Sequence, residues 1–190
     1  MQPIITRLGM AFASTQLSPN FWTGLALVTA VISGVIYMTA TPSIGVPWFY
    51  ASSLGSIVLL ISGFLDIIDG SVAIVTKKTS KKGAFFDSSF DKIAEVWIFI
   101  GIAIGNLADP LWCMTALSLS LLVSYVRARA ESIGIQLKGI GIGERAERLL
   151  IVAIIGIIPI PGAMQWAIKI VSIVAAITFS QRIIATYKML

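Results

Sequence analysis

Four aspartates, Asp66, Asp69, Asp87 and Asp91, are the residues whose type and spacing are best suited to chemistry. They stand in Asp66-Ile-Ile-Asp69-Gly70 and in Gly83-Ala-Phe-Phe-Asp87-Ser-Ser-Phe-Asp91. Residues three or four apart on a helix share a face, so each segment presents a pair of carboxylates. If the two helices are adjacent and antiparallel, the pairs face each other. Four such groups repel, and a carboxylate at mid-bilayer costs about 2.5 to 3.5 kcal/mol on insertion scales. A hard divalent cation relieves the repulsion. An all-oxygen donor set points to Mg²⁺, Mn²⁺ or Ca²⁺ rather than zinc or copper. The competing reading is an interfacial acidic patch neutralised by Lys77, Lys78, Lys81, Lys82 and Lys92. Gly70, Ala73 and Gly83, within about a turn of the carboxylates, favour a site, because small residues let a ligand approach the backbone.

These segments must be positioned by membrane helices. Of 190 residues, 57% are hydrophobic and only 12% charged, and the mean hydropathy is +0.93. Soluble domains carry about 25% charged residues, so a water-soluble monomer is excluded. The single Cys113 excludes an internal disulfide, and the absence of His removes the usual imidazole ligand and general base. Acid–base or metal chemistry therefore falls to carboxylates. The net charge of +5 comes from cations flanking apolar stretches, where topology and anionic headgroups account for them and nucleic acid is not implied.

The expected fold is an all-α polytopic membrane protein forming one domain over residues 1–190, with an interfacial helix over 1–16 and a six-helix catalytic domain over 17–190. Ile4, Ile5, Leu8, Ala11 and Phe12 recur at helical spacing. The polar-broken run up to Gln16 is unlike a cleaved signal peptide and is expected to be retained. Transmembrane spans are expected at about 21–40, 48–68, 88–107, 110–127, 148–158 and 164–187, the fifth starting within the polar segment before it. Thirteen of the fourteen cations lie on one side, leaving only Lys169 opposite. That asymmetry places both termini, the two long connections and the aspartates in the cytoplasm of a cell membrane.

The pattern Asp66-x2-Asp69-Gly70-x2-Ala73-x9-Gly83-x3-Asp87-x3-Asp91 resembles the signature of the CDP-alcohol phosphotransferase family, DxxDGxxAR, eight residues, then GxxxDxxxD. Leu17-Ser-Pro-Asn20-Phe-Trp-Thr23 is also similar to that family's segment before its first span. One position departs: the signature's Arg is Ile74, leaving Lys77, Lys78, Lys81 or Lys82 to supply the cationic contact. The resemblance implies two Mg²⁺ or Mn²⁺ ions held among Asp66, Asp69, Asp87 and Asp91, with Asp91 also the base. It implies a CDP-linked lipid bound near Asn20, Thr23, Asp66, Asp69, Gly70, Ala73 and Gly83, attacked at its lipid-side phosphorus by an alcohol, with CMP leaving. Ser124-Tyr-Val-Arg127-Ala-Arg129-Ala-Glu131 and Gly141-Ile-Gly143-Glu144-Arg145-Ala-Glu147-Arg148 resemble the branch of this family that makes phosphatidylinositol phosphate or its archaeal ether-lipid counterpart. That likeness implies an inositol phosphate acceptor gripped by Arg129, Arg145 and Arg182, with Arg148 and Arg127 as further candidates.

Other readings compete with these. Arg127/Glu131 and Glu144/Arg148 pairs at i,i+4 would make the basic residues a solvated anchor. Arg182, inside an apolar span, requires a partner in either case. Glycerol phosphate or serine are alternative acceptors, and a divalent-cation transporter is the alternative of another class, though its usual marks of midplane charge and paired repeats are missing. Gly101-x3-Gly105 permits close helix contact and a homodimer. Glu95 continues the Gly83, Asp87, Asp91 stripe, either supporting the site or pairing with Lys92. Trp22, Trp48, Trp112 and Trp166 fit an aromatic belt.

Overall fold

The computed structural model describes residues 2–137 and 139–190, with side chains from Arg7 onward except Leu8. Lys138 and the side chains of Ile4, Ile5 and Leu8 therefore lie outside the described residues. Among those described there are α-helices and no strand: α1 (Gln2–Ala13), α2 (Pro19–Met38), α3 (Trp48–Val75), α4 (Lys81–Ile104), α5 (Pro110–Ser132), α6 (Arg145–Ile157) and α7 (Ala163–Met189). Helices α2, α3, α5 and α7 are long and apolar enough to cross a membrane. Large side chains such as Val28, Ile32, Ile61, Met114 and Ile173 are exposed on their outer faces, as expected where the surroundings are hydrocarbon.

Local chemistry sets the helix starts. Ser18 accepts from the Phe21 N–H at 3.3 Å with Pro19 in the first turn, and Ser80 accepts from the Gly83 N–H at 3.0 Å. Asp109 accepts from the Leu111 N–H at 2.8 Å, again before a proline. These are side-chain caps for the unpaired N–H groups of a first turn. At α6 the Glu147 carboxylate accepts from the Glu144 N–H at 2.7 Å, half of a capping box. Helix α3 runs two turns beyond the expected 68, to Val75, and α4 starts seven residues before the expected 88. Both pairs of aspartates consequently sit inside regular helix.

Helices α2 to α7 close a ring in the spatial order α2, α4, α5, α7, α6, α3, and α1 lies outside on α3. The core holds Tyr37, Ile98, Phe99, Ile102, Val152, Ile168 and Val171. With no water to hide from, contact between membrane helices depends on close packing and hydrogen bonds, each of the latter contributing about 0.6 kcal/mol. Ser33 donates to Gly55 O at 2.7 Å and Ser62 to Ala26 O at 2.8 Å, joining α2 to α3. Ser52 donates to Gly156 O at 2.7 Å, joining α3 to α6. A Cβ at Gly101 would strike the backbone of Gly34, and one at Gly105 the carbonyl of Tyr37. This corrects the reading of the Gly101/Gly105 pair as a face for a second copy, because α2 of the same chain fills it.

Helix α1 packs through Gly9, where a Cβ would lie 2.6 Å from Ser71 O, and through Phe12, whose ring meets Trp22 edge-on at 5.3 Å. It therefore sits at the same end of the bundle as the aspartates. Lys169 lies at the other end, 4.8 Å from the ring centre of Trp166 and 5.7 Å from that of Trp112.

Candidate active site

Helices α3 and α4 bring Asp66, Asp69 and Asp87 together. One oxygen from each carboxylate lies within 4.8 Å of the others. Asp69 is buried, and its Oδ2 has no hydrogen-bond partner. An orphaned buried oxygen beside two further carboxylates is a donor set that fits a hard divalent ion. At Asp87, one residue before the expected start of a span, burial first and then the Asp66 carboxylate push the carboxyl above its usual range, against the pull of Arg145. Among the described residues, no ion pair joins Lys77, Lys78, Lys81, Lys82 or Lys92 to these carboxylates; Lys92 pairs instead with Glu95 at 3.1 Å.

Asp91 stands apart from the triad. Its Oδ1 lies 2.7 Å from Arg145 Nη1, which also donates to Asp66 Oδ2 at 3.3 Å. The i,i+4 spacing on α4 still aims Asp91 and Asp87 into one space. That space is a cavity of about 520 Å³ bounded by Asp66, Asp87, Asp91, Arg127, Arg145 and Arg182. Ser88, Lys92, Ser124, Glu131 and Glu144 complete its polar wall.

Asp87 also borders a second cavity of about 160 Å³. Asn20, Thr23, Asp69, Gly70, Ala73 and Gly83 line it, six of the seven residues expected from the resemblance; the seventh, Asp66, borders the large cavity instead. The Asn20 Oδ1 comes within 3.4 Å of where a Cβ on Gly83 would be, and a Cβ on Gly70 would meet nothing within 4 Å, so Gly70 opens directly onto the cavity. Between α3 and α6 an apolar groove of about 200 Å³ runs past Leu60, Gly63, Leu149 and Ala153 and ends at Asp66 and Arg145.

The basic residues divide. Arg182 is buried in α7, where its guanidinium donates to Ile140 O at 2.9 Å and Val123 O at 3.0 Å, with Glu144 at 3.9 Å. These are the partners an intramembrane arginine requires. Arg127 pairs with Glu131 at 2.9 Å while still edging the large cavity. Arg148 borders it too, but is fully buried: it bonds Glu95 Oε1 at 3.0 Å and Gly143 O at 2.8 Å. The expected Glu144/Arg148 pair is replaced by this one, and Glu95 serves both Arg148 and Lys92. Removing one member of such a buried pair typically costs about 3 to 5 kcal/mol, because the other is left uncompensated. Arg129 is not brought to the cavity. Two residues from Arg127 is about 200° around a helix, and Arg129 instead edges an apolar cleft with Tyr125 and Tyr187.

Sequence reasoning did not foresee Arg145 on Asp66 and Asp91, nor Glu95 on Arg148. The Glu144-x2-Glu147 spacing was a visible sign of a helix start, and it places Arg145 in the first turn of α6, facing α3 and α4.

A family model described as CDP-alcohol phosphatidyltransferase matches residues 16–179. The chain is 36% identical over 192 residues to the archaetidylinositol phosphate synthase of Pyrococcus horikoshii, covering 100% of this chain and 93% of that protein. The crystal structure of Mycobacterium tuberculosis phosphatidylinositol phosphate synthase with CDP-DAG bound matches with a TM-score of 0.79 at 23% identity, covering 97% of this chain and 94% of that one. The same enzyme in complex with manganese and citrate gives 0.78 at 23% identity, covering 96% and 88%. At this identity the two crystal structures show a shared fold.

Proposed function

The chain belongs to the CDP-alcohol phosphatidyltransferase family, and from that premise we propose that it transfers a phosphatidyl-type group from a CDP-linked lipid to the hydroxyl of inositol phosphate, releasing CMP. It is an integral membrane enzyme of phospholipid biosynthesis, and membership removes the cation-transporter reading. The observation that carries the proposal is the position of Asp87, which borders both the cavity lined by the signature residues and the arginine-edged cavity. A diphosphate donor in the first and a phosphorylated alcohol in the second would meet at the carboxylates.

In this reading Asn20, Thr23, Gly70, Ala73 and Gly83 hold the nucleotide, and the groove between α3 and α6 takes hydrocarbon of the lipid. Asp66, Asp69 and Asp87, with Asp91 beside them, would hold two Mg²⁺ or Mn²⁺ ions. Ions bound there would supply charge neutralisation on the phosphoryl oxygens and on departing CMP. Asp91 accepts the acceptor's hydroxyl proton, and Arg127, Arg145 and Arg182 orient its phosphate. Guanidinium forks suit a phosphate dianion. The similarity to the archaetidylinositol phosphate synthase of Pyrococcus horikoshii supports an inositol phosphate acceptor.

Purified protein given a CDP-linked lipid and a panel of alcohols should release CMP fastest with inositol phosphate. Arg127→Gln and Arg182→Gln should each raise KM for inositol phosphate by about ten- to a hundredfold, the loss of one charge-assisted contact of about 1.5 to 3 kcal/mol. KM for the CDP-lipid should stay within a few-fold. Faster turnover with glycerol phosphate or serine, with KM unmoved in the arginine variants, would overturn the acceptor.

The same proposal completes the topology: α4 and α6 are the remaining two of six spans, α1 lies in the interface, and the aspartate end faces the cytoplasm. Homodimeric assembly belongs to it as well, through a face other than Gly101 and Gly105. Ser43 and Gln136 are both exposed, and the native Cys113 is buried. In oriented cells an impermeant thiol reagent should therefore label Ser43→Cys and spare Gln136→Cys. The reverse pattern would invert the orientation.

A further inference from the structure

We propose that Lys78 is the cation that holds the diphosphate of the donor in the cavity it shares with Asp69 and Asp87, a contact that Ile74 does not supply in this chain. The inference rests on the donor reading above and adds a residue to it.

The end of α3 determines where Lys78 goes. After Val75 the chain passes through Thr76 to Lys77, which takes a φ of +53°. The Lys77 N–H donates to Ile74 O at 3.3 Å and the Lys78 N–H to Ala73 O at 3.1 Å. A left-handed residue closed by such bonds is a helix C-cap that turns the chain back on the helix end. Lys78, Thr79 and Ser80 are thereby laid along the small cavity instead of continuing along the axis of α3. The Ser80 cap of α4 then fixes the far end of this short connection.

The four neighbouring lysines are not equivalent in this arrangement. Lys78 lines the cavity, whereas Lys77, Lys81 and Lys82 do not. Ile74 is 64% exposed and does not line it either. Among the described residues bordering the cavity, Lys78 is the one cation, alongside the two acids Asp69 and Asp87. It makes no ion pair with them or with any other described residue. A diphosphate carries negative charge on both phosphates, and carboxylates on one wall cannot balance it. An ammonium on a flexible stem is a compact point charge with three donors, suited to a non-bridging phosphate oxygen.

The test is direct binding of CDP, which keeps the diphosphate without the lipid, to purified protein in Mn²⁺, with KM for CDP-lipid measured alongside. Lys78→Met should weaken CDP and raise KM for CDP-lipid by about ten- to a hundredfold, as expected for one charged contact. CMP binding should change less, and KM for inositol phosphate should not move. Lys78→Arg should retain binding, and Lys81→Met, outside the cavity, should match the wild type. Since Lys78 is exposed, thermal melting should be the same for all variants. CDP binding unchanged in Lys78→Met, or lost equally in Lys81→Met, would overturn the assignment while leaving the donor reading in place. Failure of the wild type to bind CDP in Mn²⁺ would overturn both.

Discussion

Asp69→Asn and Asp87→Asn should each lower CMP release by at least about a thousandfold, roughly 4 kcal/mol of transition-state stabilisation. Asn matches Asp in size and keeps one oxygen, so the variants test charge and not space. One oxygen from each of the three carboxylates lies within 4.8 Å of the others, and among the described residues no lysine is paired to them. Removing one negative charge therefore relieves repulsion, and without metal the variants should melt at or above the wild-type temperature. Added Mn²⁺ should stabilise the wild type, because a ligand that binds only the folded state raises its stability. The variants should lose that increment. An acidic surface patch predicts the opposite combination of undiminished turnover and no metal-linked melting. Full turnover of the wild type in excess chelator would remove the metal from the mechanism altogether.

Much of this site could be read from spacing alone, because spacing on a helix converts directly into a shared face. Asp66 and Asp69 three apart, and Asp87 and Asp91 four apart, needed only that the end of α3 and the start of α4 approach at one end of the bundle. The expected adjacency of the two helices is not found, because α2 packs between them. The cavity lined by Asn20, Thr23, Gly70, Ala73 and Gly83 came instead from the family resemblance, and Ser18 and Ser80 cap the helices that carry it. Helix ends were harder to place. Hydropathy marks where the lipid stops, yet α3 continues to Val75 and α4 begins at Lys81, since backbone hydrogen bonds do not end at the membrane surface.

The basic residues were the least legible, for a different reason. Arg127 and Arg129 differ little as letters, but only one can face the ring interior, and which one depends on the rotation of α5. Arg148 reads as a partner for Glu144 at i,i+4, but meets Glu95 from another helix. A buried carboxylate with two cations within 3.1 Å depends on a side chain of α6 reaching α4 across the ring. No local pattern encodes that. The Gly101/Gly105 pair shows the same limit: the motif announces close approach, and only the fold says that the approaching backbone is Gly34 and Tyr37 of the same chain.

Asp91→Asn should lower kcat by about two to four orders of magnitude, the usual contribution of a general base, with KM for the CDP-lipid within a few-fold. The geometry separates this residue from its three neighbours. Asp66, Asp69 and Asp87 form the close group, whereas the Asp91 Oδ1 lies 2.7 Å from the Arg145 guanidinium and the residue borders the cavity proposed for the acceptor. With no His in the chain, a carboxylate in that position is the available proton acceptor. Asn cannot take a proton there, though it can still accept a bond from Arg145, which also keeps Asp66 at 3.3 Å. The arginine should thus stay in place, and the defect should fall on the chemical step. Mn²⁺ affinity distinguishes the two roles that one carboxylate can play. If it is retained while kcat collapses, Asp91 acts as the base. If both fall together, as expected for Asp87→Asn, Asp91 serves as a ligand. A kcat within a few-fold of wild type would assign the proton to another group.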